Sequence, residues 1–302
     1  MNMWQSNNRY ALDGSMTLIE GNSGLPFILV SNSRATALIS LYGGQVLSFW
    51  PVAEERDLLF LSNKACYDGN RAIRGGIPVC WPWFGPDPDG LKRPNHGFAR
   101  NSHWQIVDTD ISSDHESKLT LRLIQTEHSR KNWPHSCKLS QTITVGNSLT
   151  QELITHNTGY ETIAITQALH AYFLIGDIEQ VTLAGLENHQ YLDKLDGGKV
   201  KQQTAPVVIS EEVDRIYPGV KNQLLIDDPV LKRWIQITSF GSKTAVVWNP
   251  WAEASATMSD LEAGDYKRFL CVEAGTTGPN IMNMDPGSEH HLITNYRILK
   301  QV

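Results

Sequence analysis

The sequence predicts an all-β fold: a sandwich of large antiparallel sheets with few short helices. Three observations carry that expectation. Period-two alternation and β-rich runs recur along the chain, while 3.6-residue periodicity is scarce. Gly146-Asn147 separates two alternating segments, 138–145 and 148–155, which is a hairpin signal. Strand-like runs do not alternate with long helical segments, as a parallel α/β sheet would require.

In chain order the expected strands include 27–30 (FILV), 37–41 (ALISL), 119–124 (LTLRLI), 142–145 (TITV) and 149–154 (LTQELI). They continue with 162–168 (TIAITQA), 230–239 (VLKRWIQITS), 245–248 (AVVW) and 268–272 (RFLCV). Asp196-Gly197-Gly198 marks a further turn. No Pro-, Gly- or Ser-rich linker, fixed-period repeat or low-complexity segment divides the chain, so residues 1–302 are expected to form one domain.

Composition narrows the class of function. A chain of 302 residues with 41% hydrophobic and 19% charged residues is globular and can bury a large core. A net charge of −6 argues against a general nucleic-acid binder. No apolar run approaches the ~20 residues that span a membrane. The N-terminal MNMWQSNNRYALDG lacks the basic and apolar regions of a signal peptide, so a cytoplasmic location is the default expectation. Cys66, Cys80, Cys137 and Cys271 form no C-x-x-C pair and read as reduced core thiols.

The charge is uneven. Residues 64–104 carry six Lys/Arg against three Asp, a net of +3 inside a chain whose remainder is −9. That contrast fits a small anionic ligand. The same region holds RGGIPVCWPWFGP (74–86) and HGFAR (96–100). Such a stretch is too broken for a helix and too proline-rich for an interior strand. Residues 70–101 are the expected wall of a cleft. Arg74 and Arg100 can grip phosphate or carboxylate with a planar fork, and Gly75-Gly76 permits close backbone approach. Trp81, Trp83, Phe84 and Phe98 offer faces for a sugar or for packing, and composition does not choose between these.

Two acid–base candidates stand out. His170 lies inside an apolar run, 163–175, and Glu273 ends the strand-like RFLCVE. Burying an unpaired carboxylate is costly and would raise its pKa toward neutrality, which suits a proton-transfer group. Asp214 sits in an acidic, turn-rich context. His290 and His291 are adjacent, so a strand would send them to opposite faces, a poor metal pair. No phosphate loop, nucleophile elbow or H-E-x-x-H is present, and nothing in the sequence calls for a metal or cofactor.

Together, IRGGIPVCWPWFGP, HGFARNSHW, LHAYFLIGDI, VDRIYPG, VVWNPW and YKRFLCVEAG resemble the D-hexose-6-phosphate mutarotases of the aldose 1-epimerase superfamily. The likeness spans nearly the whole chain, with the blocks in the family's order. It implies a galactose-mutarotase-like β-supersandwich and interconversion of the anomers of a hexose 6-phosphate. It implies His170 and Glu273 as the catalytic pair, and Arg74, Asn95, His96, Arg100 and Asp214 as substrate-binding residues. Asn95 stands where glutamine is frequent; one methylene shorter, it could reach substrate through a water. The resemblance implies a small sugar phosphate as partner and a monomeric enzyme. Rival readings are an aldose 1-epimerase of free sugars, a non-catalytic sugar-binding module, and a glycoside hydrolase or lyase using Asp214 with Glu273.

Overall fold

The computed structural model describes residues 14–111, 116–220 and 223–301. The N-terminal stretch read as lacking a signal peptide lies almost wholly outside the described residues. Two eight-stranded sheets dominate. The first runs, edge to edge, Lys199–Gln202, Gln190–Asp193, Val213–Pro218, Thr244–Asn249, Phe269–Thr276, Gln167–Leu169 and Val79–Cys80. Its eighth strand, Tyr172–Leu174, also pairs with Phe269–Thr276. The second runs Thr182–Ala184, Gln223–Asp228, Arg233–Phe240, Glu289–Lys300, Leu149–Asn157, Cys137–Val145, Ser117–Leu123 and Trp104–Ile111. A four-stranded sheet, from Met16–Glu20 to Gln45–Pro51, and a two-stranded ribbon of Ile163–Ile165 with Met282–Met284 complete the architecture.

The expected period of two is visible in the burial. Cys137–Val145 and Leu149–Asn157 bury every second residue and pair across the Gly146-Asn147 turn, Val145 opposite Leu149. Their buried residues join those of the first sheet, including Val247, Leu270 and Val272, and those of the four-stranded sheet in one apolar cluster. The two described α-helices, Glu127–Asn132 and Trp251–Ala256, are six residues each. Among the described residues no helix is long and apolar enough to cross a membrane.

Three expected strands change at their ends or middles. The run 162–168 is broken at Thr166, whose backbone donates to the Pro82 carbonyl and whose hydroxyl accepts from the Phe84 N–H. Its two halves therefore enter different sheets. Residues 230–232 form a turn capped by Asp228, with Lys232 at φ 51°, and the strand starts at Arg233. Arg268 closes a short 3₁₀ turn before Phe269.

The loop after Arg74 packs far more tightly than a surface segment. Trp81 is fully buried, edge-on to Trp133 at 4.9 Å and Phe98 at 5.5 Å. Trp83 donates to the Pro94 carbonyl at 3.0 Å and lies under the Arg93 guanidinium. Both tryptophans thus anchor the loop from beneath. Gly76 meets the strand beneath it: a Cβ would fall 2.2 Å from the Val46 carbonyl oxygen. Close backbone approach here serves packing of chain on chain. Gly97, at φ 72°, would place a Cβ 2.0 Å from the Trp81 carbonyl oxygen. Gly97→Ala is therefore expected to lose about 1–3 kcal/mol from backbone strain alone, with the clash adding to it. Urea unfolding of the two proteins measures the loss; equal midpoints would show that the loop yields.

All four cysteines are free; Cys80, Cys137 and Cys271 are buried and Cys66 is half-buried.

Candidate active site

The strand Phe269–Thr276 is buried on both faces. Leu270 and Val272 enter the main core, while Phe269 and Cys271 turn to a smaller cluster with Phe60, Tyr172 and Leu261. Period-two alternation then sends Glu273 out on that second face, beyond the apolar cluster. The neighbouring chain brings the histidine. Leu169 lies opposite Ala274 and Tyr172 opposite Cys271, so one antiparallel register sets His170 across from Glu273. His170 Nε2 and Glu273 Oε1 are 3.3 Å apart. A sequence separation of 103 positions is thereby closed by strand pairing.

Burial governs the electrostatics of this pair. Glu273 is 1% exposed and His170 is 7% exposed. Desolvation pushes the Glu273 carboxyl well above the usual carboxylate range, and the negative charge of Asp214 adds to it. Desolvation also pushes His170 well below its ordinary value, helped by His96, Arg100 and Arg74. Both shifts favour the uncharged forms, a protonated carboxyl beside a neutral imidazole. Glu273 Oε2 and His170 Nδ1 have no hydrogen-bond partner, although both are buried. Both atoms can therefore take a further hydrogen bond.

The surroundings hold His170 on several sides. Its ring stacks on Tyr172 at 4.8 Å and 11° between planes. Trp248 and His96 meet it edge-on, each at 5.9 Å between ring centres. Trp248 is presented by Thr244–Asn249, with Asn249 fastened to the Tyr266 and Phe269 carbonyls. His96 has φ 63° and accepts from the Gly85 N–H at Nδ1, which leaves its ring proton on Nε2. Burial, then Arg100 and Lys194, lower His96 to about 3, so it is a neutral donor. Asp214, opposite Trp248 in the register, is bound to Lys194 Nζ at 2.5 Å.

Beside the pair lies a cleft of about 240 Å³ whose lining includes Arg71, Arg74, Asn95, Arg100, Tyr172 and Asp260. Most of its lining comes from the two ends of the 70–101 stretch, 70–78 and 94–101, while the tryptophan-rich middle packs beneath. Arg74 is only partly free. Its Nε binds Asp260 at 3.1 Å, and its Nη1 donates to the Tyr172 hydroxyl at 2.9 Å. Arg100 donates through Nη2 to the Asn95 carbonyl, while its buried Nε has no partner. The cleft therefore presents three guanidinium groups and one carboxylate.

The structure thus brings His170, Glu273, His96 and Asp214 to one face, with Arg74, Arg100 and Asn95 in the adjoining cleft. It adds Tyr172, Trp248, Lys194 and Asp260, which sequence reasoning did not single out. Tyr172 had a signal: it stands two residues after His170 in LHAYF, the spacing that shares a strand face. Lys194 and Asp260 lie in turns with no pattern to expose them. His290 and His291 do diverge: His290 bridges Gln167 and the Gly241 carbonyl, and His291 binds Glu152.

Comparison with known proteins places the chain in a family. The family described as aldose 1-epimerase matches residues 26–297. A proposed glucose-6-phosphate 1-epimerase of Cenchrus ciliaris is 36% identical, covering 90% of this chain and 84% of its own. A protein of the same description from Escherichia coli strain K12 is 35% identical over 92% of both. The crystal structure of a proposed mutarotase from Salmonella typhimurium superposes with a TM-score of 0.89 at 30% identity, covering 99% of this chain and all of its own.

Proposed function

The chain belongs to the aldose 1-epimerase family, and from that premise we propose that it interconverts the α and β anomers of a D-hexose 6-phosphate, glucose 6-phosphate first among them. The observation that carries this reading is a buried acid–base pair, His170 with Glu273, beside an arginine-lined cleft. The names of the curated relatives support the substrate class.

Mutarotation opens the hemiacetal ring and closes it again on the other face. Opening requires a proton delivered to the ring oxygen and another removed from the C1 hydroxyl. Those two oxygens share one carbon, so an acid and a base side by side can serve both at once. One proton on the pair is enough. Whichever group holds it protonates the ring oxygen, and its neighbour takes the C1 hydroxyl proton. The pair is then inverted; after rotation about C1–C2, closure restores it. Burial favours the start with the proton on Glu273. The alternative start, with imidazolium at the ring oxygen and carboxylate at O1, is the same proton moved across 3.3 Å. The arginines orient the phosphate end and take no part in bond making. Neutral His96 and the Lys194–Asp214 pair would hold hydroxyls of the ring.

The pairing of Arg74 with Asp260 is the one feature that favours an unphosphorylated sugar, because it places a carboxylate inside the cleft. Against it stand the guanidinium groups of Arg71, Arg74 and Arg100 in one lining, although Arg71 is itself paired with Asp68.

Polarimetry of freshly dissolved α-glucose 6-phosphate tests the activity: decay of rotation should be much faster with protein than in buffer. The rate should also follow a broad bell in pH. A second proton reaches His170 only well below its ordinary value, and the working proton leaves Glu273 only well above the usual carboxylate range. The acid limb should therefore lie below the ordinary histidine value and the alkaline limb above the usual carboxylate range. A narrow optimum flanked by unshifted histidine and carboxylate limbs would contradict the buried pair.

A further inference from the structure

Tyr172 belongs to both halves of the site. Its ring is 3% exposed and stacks on His170 almost parallel. Its hydroxyl accepts from Arg74 Nη1 in the cleft. Phe269 and Trp248 pack against the same ring at 5.3 Å and 6.0 Å, so it cannot tilt freely. The register with Cys271 fixes its backbone. Resting on the reading above, we propose that Tyr172 is a positioning residue that couples occupation of the anion cleft to the placement of the His170 imidazole.

The physical chain is short. An anion entering the cleft draws the Arg74 guanidinium, which is held at Nε by Asp260 and at Nη1 by the Tyr172 hydroxyl. Motion of that hydroxyl moves a ring whose other face supports the imidazole. A rigid aromatic stack transmits small displacements because packed side chains have few alternative rotamers. Filling the cleft thus presses His170 toward its working geometry against Glu273. The phosphate of the substrate then assists turnover in addition to binding. The groups facing His170 are Glu273 across the strand pair, His96 and Arg100 from the loop, Arg74 from before Gly75, and Tyr172 two residues further along its own segment.

Two variants separate the two roles of the side chain. Tyr172→Phe keeps the stack and removes the hydroxyl. Because the bond lost is the link between Arg74 and the ring, kcat for glucose 6-phosphate should fall roughly tenfold, the worth of a hydrogen bond to a charged group, toward its value on glucose. Tyr172→Leu removes the stacked face. Its kcat should fall on both sugars, and the acid limb of its pH profile should move up as His170 is less desolvated. Thermal unfolding of both variants establishes that they are folded.

A readout independent of turnover completes the test: NMR of the histidine ring protons during titration with inorganic phosphate. In the parent protein the His170 signal should shift as phosphate binds. In Tyr172→Phe, at phosphate saturation, the shift should be largely lost. A His170 signal unmoved by bound phosphate, or moved equally in both proteins, overturns the coupling even if the protein anomerises sugar phosphates. Failure of the parent protein to anomerise any sugar phosphate, with the coupled shift present, would instead remove the enzymatic reading alone.

Discussion

Replacing Glu273 with Gln is expected to reduce anomerisation of glucose 6-phosphate by about 10²–10⁴-fold, toward the spontaneous rate. His170→Ala should do the same. The amide fills the space of the carboxyl but can neither give nor take the working proton, and alanine leaves Glu273 without its exchange partner 3.3 Å away. Because the two act as a unit, the double variant should be scarcely slower than either single one. Exchange NMR of the anomers, or polarimetry, reads the rates; near-parental activity in either variant removes that residue from the chemistry. The loss should not come from unfolding. Glu273 has its folded pKa raised, so its protonated form sits comfortably in the core below the unfolded carboxylate value. That stability is lost as pH rises through the higher folded value. Gln cannot ionise, so Glu273→Gln should match the parent in acid and exceed it in thermal stability at alkaline pH. This is the expected trade between a functional site and the fold that holds it.

The second large effect concerns the phosphate. Arg100→Ala should weaken use of glucose 6-phosphate by about 10–100-fold in kcat/KM while leaving glucose nearly unchanged, the loss of a charge-assisted bond to one substrate and not the other. Arg74→Ala should cost less. Arg74 is already shared between Asp260 and Tyr172, whereas Arg100 keeps a buried Nε open to an acceptor. The ordering follows from the structure and would not have been drawn from the sequence, where the two arginines look equivalent. Equal losses on glucose and its phosphate would refute a phosphate role for the cleft.

The sheet architecture could be read from alternation, and the hairpin at Gly146-Asn147 from two residues. Glu273 could be suspected because a carboxylate at the end of RFLCV has few bland explanations. His170 alone could not, since a histidine in an apolar run is commonly structural. Only the register that sets Leu169 opposite Ala274 joins the two, and register between strands so far apart is a property of the folded sheet. Trp81 and Trp83 illustrate the limit from the other side. Their composition suits a sugar platform as well as a core, and the partners that decide it, Trp133 and the Pro94 carbonyl, are brought in by folding. Asp260 and Lys194 carry no local signal at all. They enter as counter-charges to Arg74 and Asp214, and such pairing is invisible until the chain is folded.

Exchange NMR on equilibrated sugars, with the protein at catalytic concentration, tests the proposed activity most directly. Strong α–β exchange is expected for glucose 6-phosphate and much weaker exchange for glucose. No exchange beyond buffer for either sugar, or exchange as fast for glucose as for its phosphate, would contradict it.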